Sequence, residues 1–159
     1  MTDLNRFEIA QNGFYNSALE ELKNGKKIGH WMWYVFPQIE GLGASPMATT
    51  YAIKNKEEAI AYLNHKILGT RLIEITTELN TIKDKSANII FGRTDSLKLK
   101  SCMTLFESIT PDNVIFTEIL QKFFDGEKCE HTINMLKYYD DSAKDNCIPE
   151  NIRNKNITH

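Results

Sequence analysis

No stretch of this 159-residue chain approaches the ~20 consecutive apolar residues that a membrane-spanning helix needs, so no membrane partner is expected. Cysteine is scarce. Cys102, Cys129 and Cys147 are widely spaced, form no CxxC pair, and read as reduced thiols of an intracellular protein. Positive charge is not in excess: 19 Lys and Arg against 21 Asp and Glu leave a net charge of -2. That balance excludes a broad nucleic-acid-coating surface and leaves room for a local basic patch. His30, His65, His131 and His159 are dispersed, and HExxH, Walker and Gly-x-Ser-x-Gly signatures are absent, so neither a metal nor a cofactor is implied. Met1 to Arg6 lacks a basic segment leading into an apolar one, which gives a cytoplasmic expectation. In such a compartment the sequon at Asn156 has no consequence.

What is present is a globular composition, 42% hydrophobic and 25% charged, in a length suited to one core. Helical periodicity dominates. Asp3 is placed to cap a first helix with Phe7, Ala10, Phe14, Ala18 and Leu22 on its buried stripe, ended by Asn24-Gly25. Ser45-Pro46 opens a short helix, and Asn55 with Glu58 resembles a capping box. Asn64 is expected to start a helix whose stripe is Leu68, Leu72, Ile75 and Leu79. Ser86 caps a brief turn that Gly92 stops, and Asp95 is expected to cap a helix carrying Leu99, Cys102, Met103, Phe106 and Ile109. Thr110-Pro111 repeats the cap-plus-proline signal before Ile115, Ile119, Leu120 and Phe123, and a last short helix carries Ile133 and Leu136. Only Trp31 to Phe36 offers a possible strand. The expected fold is mostly α, a single compact multi-helix domain over 1–139 with little or no β, followed by a polar, loosely ordered tail over 140–159.

The densest chemical feature is His30-Trp31-Met32-Trp33-Tyr34-Val35-Phe36-Pro37-Gln38, which holds both tryptophans of the protein. As a strand it puts Trp31 and Trp33 on one face; as a helical turn it brings His30 toward Trp33 and Tyr34. Rings of this kind stack a base, and the Gln38 amide offers donor and acceptor to its edge. The competing reading is that the same aromatics plug the core. Gly41-Leu42-Gly43-Ala44-Ser45-Pro46 begins like a dinucleotide fingerprint, but Pro46 replaces the third glycine and no βαβ unit surrounds it. What remains is either a loop presenting free amides to an anion near Ser45 or a simple turn and cap.

A third feature is Arg93-Thr94-Asp95-Ser96-Leu97-Lys98-Leu99-Lys100. If Asp95 caps the helix, Lys98 lies in the first turn against the positive end of the dipole, which hints at a bound anion. A solvated lysine is the alternative. Lys100, Thr104 and Glu107 share the face opposite Leu99 and Met103. Lys23, Lys26 and Lys27 form a further basic cluster at a helix end. Cys102 falls on an apolar stripe and reads as a small hydrophobe, and Cys129-x-His131 by itself carries no metal signal.

The His30–Gln38 segment, Gly41-Leu42-Gly43 with Ser45, and Tyr51-Ala52-Ile53 resemble the first signature of a known family. Glu58-Ala59, Tyr62-Leu63, Leu68-Gly69 and Arg71-Leu72 continue it. Ile90-Phe91-Gly92, Asp95, Leu97-Lys98 and Ser101 to Phe106 resemble the second. The family is number 1810 among the domains of unknown function, sometimes labelled calpastatin-like, and the resemblance extends to about Leu136. It implies an α-rich bacterial domain and carries no established activity. Calpastatin itself is disordered, unlike this chain of capped helices. A more distant similarity is to the YbiA-like ADP-ribose-processing N-glycosidases, with Lys98 or Lys100 before Met103 matching a later lysine-bearing helix; their Glu-His pair has no counterpart near Trp33.

These readings combine into one expectation: a protein that binds a small nucleotide-like molecule and hydrolyses an N-glycosidic bond in it. Trp31, Trp33 and Tyr34 would enclose the base, with Gln38 orienting it and Ser45 and Asp95 at the flanking helix starts. Arg93, Lys98 and Lys100 would hold phosphate or stabilise developing charge, and His30 or Glu74 would serve as acid or base. The alternative is a binding module for a small molecule or a protein, without turnover.

Overall fold

Ten helices and their connecting turns make up residues 3–146, the part that the computed structural model describes, with side chains described as far as Asp140. The chain is mostly α, as its periodicity predicts. Among the described residues the only β pairing is an isolated parallel bridge between Ile39 and Ile53.

The amino-terminal stripe does not form one helix. It divides into α1 (Asn5–Asn12) and α2 (Tyr15–Lys23). Gly13 has the weak helix propensity of its type, and Phe14 leaves helical geometry at φ -133°. The break rotates α2, so Phe14 is 56% exposed while Gln11 and Tyr15 are buried in its place. Leu4, without a side-chain bond, takes the cap position expected for Asp3. Lys26 to Phe36 folds back over this pair, and its possible strand is instead the one-turn helix α3 (Met32–Val35).

Local caps set the next elements. The Ser45 hydroxyl accepts from Ala48 N–H at 3.2 Å to start α4 (Pro46–Thr50), and Asn55 accepts from Glu58 N–H at 2.9 Å to start α5 (Lys56–Asn64). Asn64 therefore ends a helix where it was expected to begin one. The start of α6 (Leu68–Asn80) is capped instead by His65, whose Nδ1 accepts from Ile67 and Leu68 N–H, each at 3.1 Å. Ser86 caps α7 (Ala87–Phe91), and Gly92 turns the chain at φ +82°. That turn lets α8 (Arg93–Ile109) start three residues earlier than an Asp95 cap predicts. Thr110 closes α8, and α9 (Ile115–Phe124) begins after Asn113 rather than at Pro111. The last helix, α10 (Glu130–Asn146), is longer than its apolar stripe suggests and takes in 140–146 of the tail expected over 140–159; residues 147–159 lie outside the described residues.

The core follows α8, which packs against α5, α7, α9 and α10. Leu99, Cys102, Met103 and Phe106 are fully buried on its inner face. Rings run through the centre from Phe7 to Tyr62, Phe106 and Phe116 at centroid spacings of 5.1, 5.6 and 5.8 Å. Truncating such a ring to alanine costs about 3–5 kcal/mol in lost transfer energy and cavity. Gln11 is buried among them and donates to Tyr34 O at 2.6 Å and Tyr62 Oη at 2.9 Å. The opposite side of α8 is stitched to the segment before α10: Lys100 pairs with Glu127 at 3.3 Å, Thr104 Oγ1 accepts from Cys129 N–H at 2.9 Å, and Glu107 pairs with Lys128 at 3.2 Å. The shared helical face of Lys100, Thr104 and Glu107 is thus what docks the amino terminus of α10.

Candidate functional site

Three walls enclose an open cleft of about 740 Å³, within the range of small-molecule sites. The first is Trp33 of α3, Gln38 and the loop from Gly41 to Ser45. The second is the outer face of α8, where Thr94, Leu97, Lys98 and Ser101 recur at helical spacing, with Lys100 at its edge. The third is Lys128, Cys129, Glu130 and His131 at the start of α10.

The first wall takes its shape from backbone chemistry. Gln38 O accepts from Ile53 N–H at 2.8 Å and Glu40 N–H donates to Ile53 O at 2.7 Å, so the Gln38 side chain leaves a pinned backbone. Gly41 then turns at φ +103° against α10, where an added Cβ would meet Met135 Cε at 2.7 Å. The positive φ is what calls for glycine there, since the Met135 methyl ends a flexible side chain.

The one-turn α3 separates the aromatic cluster. Trp31 and Tyr34 point inward and are buried; Trp33 points outward and is half-buried on the cleft. The Trp31 Nε1 donates to Glu21 Oε1 at 3.0 Å, and the same carboxylate accepts from Ile28 and Gly29 N–H. Burial alone would raise the Glu21 pKa, but those N–H groups, Trp31 and the nearby Lys27 outweigh it and hold the carboxyl below its ordinary value. Tyr34 packs edge-on against Tyr51 at 5.3 Å, and burial pushes its phenol up. Both rings belong to the core, the competing reading of this segment. His30 is exposed and does not line the cleft.

Of the cationic segment, Lys98 and Lys100 line the cleft, whereas Arg93, exposed at the first position of α8, and Asp95 do not. The early start of α8 takes Lys98 out of the first turn and leaves the dipole conflict to the exposed Arg93, which lies outside the cleft. Asp95 occupies the first turn, where a carboxylate is favoured, and Lys98 lies beyond it. Asp95 bonds Lys27 at 2.8 Å and Lys98 at 3.3 Å. Glu74 is on α6, where Tyr15 Oη donates to it, away from the cleft residues. Ser45 lines the cleft while its hydroxyl caps α4.

The structure therefore brings together Trp33, Gln38, Ser45, Lys98 and Lys100, and leaves His30, Trp31, Tyr34, Glu74, Arg93 and Asp95 outside. It adds Thr94, Ser101, Lys128, Cys129, Glu130 and His131. The signal for the added group was the Cys129-Glu130-His131 start of α10, which becomes meaningful only once α10 is docked on α8. Among the described residues no group of three or more His, Cys, Asp and Glu is placed to hold a metal ion, and no helix is long and apolar enough to cross a membrane.

A family described as "Protein of unknown function (DUF1810)" matches residues 1–136. A conserved hypothetical protein from Mycobacterium tuberculosis, solved at 1.38 Å, is similar at 48% sequence identity and a TM-score of 0.84, over 85% of this chain and 96% of that one. No curated protein matches. These matches do not show the distant similarity to the YbiA-like N-glycosidases.

Proposed function

The chain belongs to the DUF1810 family, whose function is unknown, and from its cleft we propose that it binds a small anionic ligand carrying a planar ring, a nucleotide-like molecule. The observation that carries this reading is the presence of the Trp33 ring and the Lys98 and Lys100 ammonium groups on one cleft. An indole supplies stacking area for a base, worth about 1–3 kcal/mol. Ammonium groups satisfy phosphate oxygens as point charges. Gln38 supplies a donor and an acceptor for the ring edge. The test is calorimetric titration with ADP-ribose, AMP and ribose 5-phosphate. Saturable heat with the first two and weaker binding of the third supports the reading; no heat with any of them overturns it.

A second reading, N-glycosidic hydrolysis of the bound molecule, is favoured by Glu130 and His131, which place a carboxyl and an imidazole on the same cleft. Hydrolysis needs an acid to protonate the leaving nitrogen and a base to activate water at the sugar carbon. His30 and Glu74, the acid and base expected from sequence, lie outside the cleft. Release of free base from ADP-ribosyl substrates, lost in Glu130→Gln, is the expected result. Binding without release leaves the non-catalytic module.

A further inference from the structure

Each oxygen of the Asp95 carboxylate takes a different lysine, and each of those lysines lies over a different tryptophan. Asp95 Oδ2 bonds Lys27 at 2.8 Å, and Oδ1 bonds Lys98 at 3.3 Å. The Lys27 ammonium is 5.1 Å from the centroid of the Trp31 ring, and the Lys98 ammonium is 4.7 Å from that of Trp33. The five side chains make one run from core to cleft. Trp31 is buried, the Lys27 side chain is 8% exposed, and Lys98 and Trp33 line the cleft. Asp95 stands between the two ends and outside the lining.

Lys27 is the fixed end of this run. Its backbone N–H donates to Ile90 O at 2.8 Å, and its ammonium donates to the Gly29 carbonyl as well as to Asp95. Trp31 beneath it is held in turn by Glu21, which accepts the indole N–H. Asp95 therefore has one oxygen on an anchored ammonium and the other on Lys98. A lysine side chain is long and costly to order, so a cation held this way is set apart from an ordinary surface lysine. The other cleft lysines show the difference. Lys100 pairs with Glu127, whose side chain is 75% exposed, and Lys128 is itself 46% exposed where it meets Glu107.

On charge alone, a carboxylate beside Lys98 opposes an anion. Lys27 offsets that effect, because Lys27, Asp95 and Lys98 together carry two positive charges against one negative. We propose that Asp95 is a positioning residue of the cleft: held by Lys27, it fixes the Lys98 ammonium over Trp33, so that ring and cation meet a ligand as one preset unit. This rests on the reading of the cleft as a site for an anion joined to a planar ring. A side chain already ordered in the free protein does not have to be ordered on binding, and affinity rises by that amount.

The test is proton NMR of the full chain without ligand, followed by calorimetry with AMP in 150 mM salt. Protons above an indole face are shielded. The Lys98 ε-methylene signal, assigned by its absence in Lys98→Gln, is expected upfield of its position in free lysine. Asp95→Asn leaves one acceptor oxygen for two ammonium groups and is expected to lose that upfield shift, whereas Asp95→Glu keeps most of it. Asp95→Asn should also weaken AMP binding by about twofold to tenfold, the span that ordering one long side chain represents. Charge alone predicts the reverse, tighter binding after loss of a negative group, and salt at this level screens that effect beyond about 8 Å. Lys27→Met removes the fixed end, is expected to reduce the shift too, and decides the matter if Asp95→Asn does not fold. A signal that stays upfield in Asp95→Asn overturns the proposal, whatever the titrations show. A lost shift with AMP bound at least as tightly as by the parent overturns the part of Asp95 in binding. A lost shift in a protein whose parent gives no AMP heat supports the positioning and removes the nucleotide-like reading alone.

Discussion

The Lys98 ammonium lies 4.7 Å from the centroid of the Trp33 ring, and Lys98 is at the same time 3.3 Å from Asp95 Oδ1. A cation held over an indole face and against a carboxylate is already positioned before any ligand arrives. Trp33→Ala removes both the ring and the seat of this ammonium, and is expected to weaken nucleotide binding by about fivefold to a hundredfold, or roughly 1–3 kcal/mol. Circular dichroism should be unchanged, because Trp33 is only half-buried. Calorimetric affinity of the variant checks both points, and unchanged affinity excludes stacking on Trp33.

Lys100→Gln and Lys128→Gln each remove one cation from the cleft and are expected to weaken binding of a phosphate-bearing ligand in 50 mM salt more than in 300 mM salt, written as about a threefold narrowing of the difference. Their partners Glu127 and Glu107 remain in place but are not cleft residues. An affinity loss that does not change with salt would assign these lysines a purely steric role.

Arg6 bonds the Glu58 carboxylate at 2.7 Å, and the Glu58 side chain is 0% exposed. The same guanidinium donates to Ala52 O at 2.7 Å and Thr50 O at 2.8 Å, tying α1 to the end of α4. Arg6→Met strands a buried carboxylate and is expected to lower stability by about 3–5 kcal/mol in urea unfolding. Arg6→Met with Glu58→Leu should recover a large part of that loss. No recovery in the double variant would place the cost in the carbonyl bonds instead.

Glu21 supplies the acid-sensitive contribution with the clearest sign. Its folded pKa is below the ordinary 4.5, so its contribution to stability is complete above that value and is lost as pH falls through the folded one. Glu21→Gln keeps an acceptor oxygen for Ile28 and Gly29 N–H but not the charge. The variant is expected to be less stable than the parent at pH 7, with the gap closing as pH falls below 4.5. Denaturant midpoints at a series of pH values measure this; a gap constant across the series removes the charge from the account.

Gly69 is the glycine where the helices approach most closely. A Cβ there would lie 1.9 Å from the Leu63 carbonyl oxygen, a backbone atom that does not swing away. Gly69→Ala is expected to destabilise the fold by about 1–3 kcal/mol or more by forcing α6 off α5, despite the better helix propensity of alanine. A variant as stable as the parent would show that the two helices slide apart at no cost.

Legibility from sequence followed the range of the interaction. Ser45, Asn55 and Ser86 were readable as caps because a side chain bonds an N–H three residues on. The break at Gly13-Phe14 and the start of α8 at Gly92 were not readable. The first depends on Gln11 and Tyr15 finding buried partners, and Asp95 is engaged by Lys27, remote in sequence. In the cleft, Trp33 and Lys98 were named from local composition, but the inward turn of Trp31 required Glu21 to receive its indole N–H. Cys129 was the harder case. Its place in the cleft wall comes from Ser101 and Thr104, which belong to another helix.

Helix α8 carries Leu99, Cys102, Met103 and Phe106 inward and Thr94, Leu97, Lys98 and Ser101 outward. One rigid rod is thus both the spine of the core and the floor of the cleft, with no hinge between them. A ligand that bridges α8 to α10 acts on the element whose loss is global unfolding. Occupancy should accordingly appear as a rise in the melting temperature of the whole domain, and core substitutions beneath α8 should change affinity without touching the ligand.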